Sequence, residues 1–440
     1  MPADIRAKLK AFNSSLDDKP LEPDDRCYVP YLAEMVESRD SLSDPIEELF
    51  TRISWSDAAT VNLVSGQRGS GKSTEFRRLR KLLADAGCVV FLCDMHDYLN
   101  MTTPVEITDF FISIMGALSE EFEKKFGLDA TREGFWERIV NFLKTEVRVK
   151  ELSLEAGGLG AKAGIKASLK NDPSFKTRLQ EQLRGHVARL VSEAHGFAVE
   201  VVKKIRDETC DPDKKVVYLI DSVEHIRGVG ADAEGVYKSV ENLFSAHAES
   251  LHFPLLHVVY TIPPYLTPLA PGLGRYLGGG MVCYLPSVHV LKRDGSPDEK
   301  GLAVMRRIIG CRYSGWGDIF TVEQLYNMAL ATGGDFREFF RLIRGSLLKA
   351  VNIEKLPLPE AIIDDASNHL RRDMLPIAGE DKEWLRKIAA SKDAELESIK
   401  ELPRLARFFD TSLVLNYRND DYWYDVHPLL KPVLKDDSAQ

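Results

Sequence analysis

Little in this sequence of 440 residues is extreme, and each thing it lacks removes a class of function. The formal charge is only −9, with both signs mixed along the chain, so no global field draws it to nucleic acid or to an anionic membrane. No apolar run approaches the length of a membrane span, and none near Met1 resembles a signal peptide. The six cysteines, Cys27, Cys88, Cys93, Cys210, Cys283 and Cys311, are scattered. Cys88 and Cys93 stand closest, yet their spacing fits no zinc signature and Cys88 opens an apolar strand. The expectation is buried free thiols in a reducing cytoplasm, with no metal beyond the ion that accompanies a nucleotide. No internal repeat or long low-complexity tract is found.

What is present begins at Val61-Asn62-Leu63-Val64-Ser65, an apolar strand that runs into Gly66-Gln67-Arg68-Gly69-Ser70-Gly71-Lys72-Ser73-Thr74. This is a full GxxxxGK[ST] phosphate loop. Gly66, Gly69 and Gly71 permit the tight turn that aims consecutive N–H groups at the β- and γ-phosphates. Lys72 supplies a point charge to those oxygens, and Ser73 offers a hydroxyl to Mg²⁺. From Thr74 to Leu83 the apolar residues keep helical spacing, so the phosphates would also meet a helix N-terminus. A loop framed by strand and helix makes ATP with Mg²⁺ the expected ligand.

The surrounding pattern predicts an α/β fold with a parallel sheet. Residues 1–45 form a polar N-terminal extension, and a core follows over 46–290. Strands are expected at 88–93, 215–221, 255–261 and 281–286, with an amphipathic helix at 109–122. An insertion over about 131–212 breaks the alternation. Within it, 147–154 and 159–169 look like two strands joined by Gly157-Gly158, the second alternating Ala161, Ala163, Ile165, Ala167 and Leu169 with lysines. Lys162, Lys166 and Lys170 then share a face that either follows a phosphate backbone, is merely solvated, or protects a strand edge. Pro173-Ser174 opens one very long helix reaching about Asp207, whose extent favours projection and assembly. Residues 291–375 read as a helical lid. From 376 to 440, short helices followed by a hairpin suggest a winged helix.

An apolar strand ending in an acid is what a phosphate-loop enzyme needs to hold Mg²⁺ from the far side, and Asp221 fits. Glu224, three residues on, is placed to orient an attacking water as a base, or else is a solvated carboxylate. Thr261 ends the next strand and would lie beside that acid. In Gly333-Gly334-Asp335-Phe336-Arg337, a glycine pair ends one helix and an arginine lies near the start of the next.

With these residues the chain resembles the AAA+ ATPases, over roughly residues 45–345. The phosphate loop and Asp221 look like the ATP- and Mg²⁺-binding elements of that family. The resemblance implies that Thr261 is the first sensor, Arg337 the second-sensor arginine, and Arg275 in Gly272-Leu273-Gly274-Arg275 a finger reaching a neighbouring subunit. The initiator-like and signal-transducing (STAND) branch, which carries a helical lid and a winged helix, is the most similar in look. It implies a homo-oligomeric switch that acts on a partner effector, as in bacterial anti-phage systems. One departure stands out: Ser222 follows Asp221 where most of the family carries a second acid, so Glu224 is the substitute base. Alternatives are a DNA loader or remodeller that reads with its winged helix, and a scaffold that holds ATP with little turnover. The third helix of the winged helix offers only Arg404 and Arg407, and Asp420, Asp421 and Asp425 follow, so nucleic acid is not favoured. Tyr422, Trp423 and Tyr424 alternate along one strand, which predicts an aromatic face turned to another protein.

Overall fold

The computed structural model describes residues 3–36, 44–127, 134–145, 159–228, 230, 233–270, 272–277, 282–396, 398–418 and 422–435. The chain divides into two compact units. A sheet unit comprises Ile46–Ser65 and Arg78–Cys283, and a helical unit comprises Met1–Pro45, Gly66–Arg77 and Tyr284–Gln440. No helix of the described residues is long and apolar enough to cross a membrane.

The strands are β1 (Val61–Ser65), β2 (Val89–Asp94), β3 (Val216–Asp221), β4 (Leu256–Ile262) and β5 (Cys283–Tyr284), in the order β2-β3-β4-β1-β5. The pairs β2–β3, β3–β4 and β4–β1 are parallel. Every residue of β1, β3 and β4 is buried. Parallel strands covered on both faces are mostly apolar, which is why they were readable in sequence despite Asn62 and His257. Of the expected strand at 281–286 only Cys283–Tyr284 pairs, and residue 281 lies outside the described residues.

The insertion differs from the expectation. The second of its two expected strands is a helix, Leu159–Asn171. Ile165 and Leu169, four residues apart, are both buried at 2% exposure and form one helical stripe. Alanine fits either period, so the alternation carried little information, while Ala, Lys and Leu all favour helix. The first strand, 147–154, and Gly157-Gly158 lie outside the described residues. Two of the three lysines are engaged as well, and the Lys162 side chain lies outside the described residues. Lys166 Nζ lies 3.0 Å from Glu120 Oε2 and 3.8 Å from the Tyr98 ring centroid, and Lys170 lies 4.0 Å from Asp97.

The long helix is two, Pro173–Leu183 and Val187–Thr209, separated by a tight 3-10 turn at Arg184–His186. Gly185 in that turn is a poor helix former. It does not project. Leu190, Ala194, Phe197, Val201 and Ile205 are at most 1% exposed, and the helix packs along Ile107–Phe126. The cysteines also need correction. All six are free, but Cys210 and Cys311 are exposed and only Cys93 is buried, where desolvation pushes its thiol up to about 12.

In the helical unit, sequence reading missed the helix Ala3–Ser15. Its Phe12 is fully buried and stacks on Tyr313 at 4.7 Å, with Leu9 and Leu16 buried beside it in sequence. Helices Glu299–Arg312, Val322–Ala331, Phe336–Lys349 and Glu360–Asp373 follow. Then come Gly379–Ser391, Leu402–Asp410 and an antiparallel hairpin, β6 (Val414–Arg418) with β7 (Tyr422–Val426).

The hairpin's expected aromatic surface is not formed by Trp423. That ring is 2% exposed and stacks on Tyr417, its cross-strand partner, at 4.4 Å. On the other face Tyr424 meets the edge of Phe409 at 5.4 Å. Trp423 is thus buried within the chain, while Tyr424 is half-buried. The Tyr422 side chain and the tip with Asp420 and Asp421 lie outside the described residues.

Candidate nucleotide-binding site

In the helical unit the phosphate loop, Gly66 to Thr74, has the shape its glycines permit. Gly69 and Gly71 have φ of 79° and 88°, a region that residues with a Cβ seldom enter. A Cβ on Gly66 would come within 2.5 Å of the Leu285 carbonyl oxygen. Lys72 opens the helix Lys72–Asp85, and its ammonium donates to the carbonyls of Gly66 at 2.8 Å and Gln67 at 2.6 Å. The charge is thus held over the loop. Ser70 Oγ is buried with no hydrogen-bond partner. A buried hydroxyl left unsatisfied costs about 1–3 kcal/mol, and an anion seated in the loop would satisfy it. These residues fit a nucleotide's phosphates.

Two segments close on this loop from within the same unit. Tyr31, 3% exposed, donates its hydroxyl to the Ser70 carbonyl at 2.5 Å and presents its ring edge-on to Phe336 at 5.2 Å. The Phe336 N–H donates to the Gly69 carbonyl at 3.2 Å. Asp335 caps the helix Phe336–Lys349, accepting the Glu338 N–H at 2.9 Å, and its carboxylate occupies the space a Cβ on Gly69 would need. Burial pushes the Asp335 carboxyl up to about 7, against the opposing pull of backbone N–H groups and Arg337.

Two of the loop's four unspecified positions, Gln67 and Arg68, reach the C-terminal module. Gln67 Nε2 donates to the Val414 carbonyl of β6 at 3.0 Å. The Arg68 guanidinium lies 3.9 Å from Asp410, the last residue of Leu402–Asp410. Tyr417 of β6 also donates to the Gly333 carbonyl at 3.2 Å, in the turn before Asp335.

In the sheet unit, acids collect at the carboxyl ends of neighbouring strands. Asp94 of β2 is in register with Asp221 of β3. Asp221, 5% exposed, accepts the Ser222 N–H at 2.8 Å. Ser222 has φ 69°, a left-handed conformation uncommon for serine, and it swings the chain into a 3-10 turn over Val223–His225. Glu224 sits on that turn, 2% exposed, with Oε1 3.6 Å from His225 Nε2. Thr261 is fully buried on β4. Its hydroxyl accepts the Val223 N–H at 3.0 Å and donates to the Ile220 carbonyl at 3.4 Å. Thr261 therefore braces the turn that carries Glu224.

No family model matches the chain, and no curated protein does. Similar solved structures include the ORC2 protein of Aeropyrum pernix, at 12% identity over 96% of this chain and 95% of that one, with a TM-score of 0.42. The Walker-type ATPase of Pyrococcus abyssi shares 13% identity over 96% and 100%, with a TM-score of 0.44. Cdc6p of Pyrobaculum aerophilum shares 11% over 96% of each chain, with a TM-score of 0.41. Likenesses this distant carry nothing about ligands, and the site rests on its own residues.

The expected residues thus fall into groups. Gly66 to Thr74 lie in one unit with Arg337, which is exposed on the first turn of its helix. Asp221, Glu224 and Thr261 lie together in the other. Arg275 is exposed in the sheet unit, on the short helix Leu273–Tyr276. Sequence reading missed Tyr31, Asp335 and the roles of Gln67 and Arg68. Asp335 carried a signal, as an Asp before a helix-forming run, but only for its capping role.

The basic residues of the presumed reading helix are also accounted for. Arg404 and Arg407 each lie 2.6 Å from the Asp381 carboxylate, and Arg404 stacks over Trp384 at 5.2 Å. Burial opposes the Asp381 charge, yet the two guanidiniums hold its carboxyl below the usual range. Asp425 similarly takes Lys392 and Lys431, each at 2.8 Å.

Proposed function

We propose that this chain is an AAA+-type ATPase switch. It binds ATP with Mg²⁺, hydrolyses it, assembles with copies of itself and controls a partner protein. The resemblance to the STAND branch favours bacterial anti-phage defence as the setting, in the cytoplasm. The observation that carries the reading is the pair of contacts Gln67–Val414 and Arg68–Asp410, through which a phosphate-filled loop would be felt by the C-terminal module.

In this reading the N–H groups of Gly69 to Ser73 and the Lys72 ammonium take the β- and γ-phosphates. Ser73 and Asp221 would hold Mg²⁺, which when bound offsets charge on the transferring phosphoryl group. Glu224 accepts a hydrogen bond from the attacking water, and Thr261 keeps its turn in place. Arg337 senses the γ-phosphate from the lid side, and Arg275 completes the site of a neighbouring subunit.

The DNA-loading alternative needs free cations on the reading helix. Arg404 and Arg407 are instead paired with Asp381, which counts against that alternative. Mass measurement of the purified chain with and without ATP, Mg²⁺ and duplex DNA tests the choice. Assembly driven by ATP alone is expected. Assembly that requires DNA overturns the switch in favour of a loader, and ATP-loaded protein without turnover favours a scaffold.

A shared site makes a second expectation. Arg275→Ala alone should lower kcat by roughly 10³-fold, the usual scale for an arginine finger. Mixing it with Lys72→Ala protein should restore part of the activity, because each subunit supplies what the other lacks. Mixed assemblies that stay inactive would exclude Arg275 as a finger.

A further inference from the structure

One acidic group beside the phosphate loop has no part in the chemistry above. Asp335 is 5% exposed and sits where a side chain on Gly69 would otherwise go. The neighbouring Phe336 N–H is bonded to the Gly69 carbonyl at 3.2 Å, so the carboxyl group cannot drift from the loop without breaking that contact. Among the described residues no lysine or arginine forms an ion pair with it. We infer that Asp335 is a charge gate for the nucleotide: its carboxyl group is neutral when the loop holds a triphosphate, so binding takes up a proton at this side chain. The inference rests on the reading of Gly66 to Thr74 as the ATP site.

The physical case is electrostatic. A triphosphate brings several negative charges to N–H groups on and beside Gly69. A carboxylate packed against the same glycine, with almost no water to screen it, opposes them strongly. The remaining charged and titratable groups around it do not remove that opposition. On its own helix, Arg337 is exposed, and Glu338 is paired with Arg341 at 2.8 Å and adds negative charge. On β6, Tyr417 is buried with its hydroxyl on Gly333, and its ring meets His289 of the preceding segment at 6.4 Å. On the loop, Arg68 faces Asp410, and Lys72 is held by two carbonyls. Burial already brings the carboxyl to about 7 before any nucleotide arrives, so at pH 8 it is mainly charged, and a bound triphosphate would drive it back to neutral.

Asp335→Asn isolates the charge. Asparagine caps a helix as well as aspartate, accepting the same Glu338 N–H, but it cannot ionise. A Mg²⁺-loaded non-hydrolysable ATP analogue is titrated calorimetrically into each full-length protein, in two buffers of different ionisation enthalpy, from pH 5.5 to 8.5. The nucleotide's own titration is common to both proteins and cancels in the comparison. At pH 8 the original protein should take up close to one proton more than Asp335→Asn, and this excess should vanish near pH 5.5. Its affinity should fall relative to the variant by up to roughly tenfold per pH unit above 7. Equal uptake and parallel affinity profiles would overturn the gate while leaving the ATP site intact. If neither protein binds the analogue at any pH, the ATP site itself fails, and the gate with it.

Thermal unfolding supplies a check independent of nucleotide. The folded-state value is raised from 3.8 to about 7, so the native protein holds this proton more tightly than the unfolded chain. Its stabilising effect is complete below the ordinary value and is lost as pH rises through 7. The Tm advantage of Asp335→Asn should therefore grow between pH 4 and 7 and level off above. An advantage that does not change with pH would overturn the assignment of the buried charge.

Discussion

Lys72→Ala protein is expected to lose nucleotide binding by about 10²-fold or more, and Glu224→Gln protein to keep binding while kcat falls by roughly 10²- to 10⁴-fold. The two losses differ because the side chains meet different parts of the reaction. The Lys72 ammonium is held over the loop by the carbonyls of Gly66 and Gln67, at 2.8 and 2.6 Å. It acts on ground-state phosphate charge, so its removal shows first as affinity. Glu224 lies on the buried turn after Asp221, braced by Thr261 through the Val223 N–H. A glutamine keeps its shape and most of its packing but cannot accept a proton, so the loss should appear in kcat alone. Equilibrium binding of a fluorescent ATP analogue and steady-state phosphate release separate these outcomes. Unimpaired turnover by Glu224→Gln would remove Glu224 as the base. Unimpaired binding by Lys72→Ala would remove the loop as the phosphate site.

Trp423→Ala is expected to destabilise the C-terminal module by about 3–5 kcal/mol, the usual cost of deleting a large buried aromatic ring. Trp423 is 2% exposed and stacks on Tyr417, whose hydroxyl reaches the Gly333 carbonyl. Removing the ring leaves a cavity against a side chain that itself holds the turn before Asp335. Trp423→Phe, which keeps most of the stack, should recover more than half of the loss. Hydrogen exchange of the 412–426 backbone is the suitable measurement, because a chain of two units need not unfold in one step. Unchanged protection in Trp423→Ala would mean that the ring contributes little to the hairpin.

The strands that carry the site, β1, β3 and β4, were readable because each is buried along its whole length and is therefore mostly apolar, with Asn62 and His257 as polar interruptions. The loop was readable for a different reason: close approach of backbone to phosphate tolerates few residue types, and Gly66, Gly69, Gly71, Lys72 and Ser73 are those types. The insertion was not readable in the same way. Alanine and lysine alternating through 159–169 satisfy a period of two and a helix alike, and only the burial of Ile165 with Leu169 chooses. Length likewise misled at 173–209, where a continuous helical pattern conceals the turn at Arg184–His186 and an apolar face already covered by Ile107–Phe126.

Sequence by itself determined the local chemistry: a glycine loop with its lysine, a strand ending in Asp221, a helix start at Phe336, a hairpin rich in aromatics. Only tertiary structure decided what those pieces touch. It turned Trp423 inward onto Tyr417, spent Arg404 and Arg407 on Asp381, and set Asp335 against Gly69 and Gln67 against Val414. The reason is separation along the chain. Period, propensity and motif spacing act over a few residues, whereas Gln67 and Val414 are 347 positions apart, and their meeting depends on how whole elements pack.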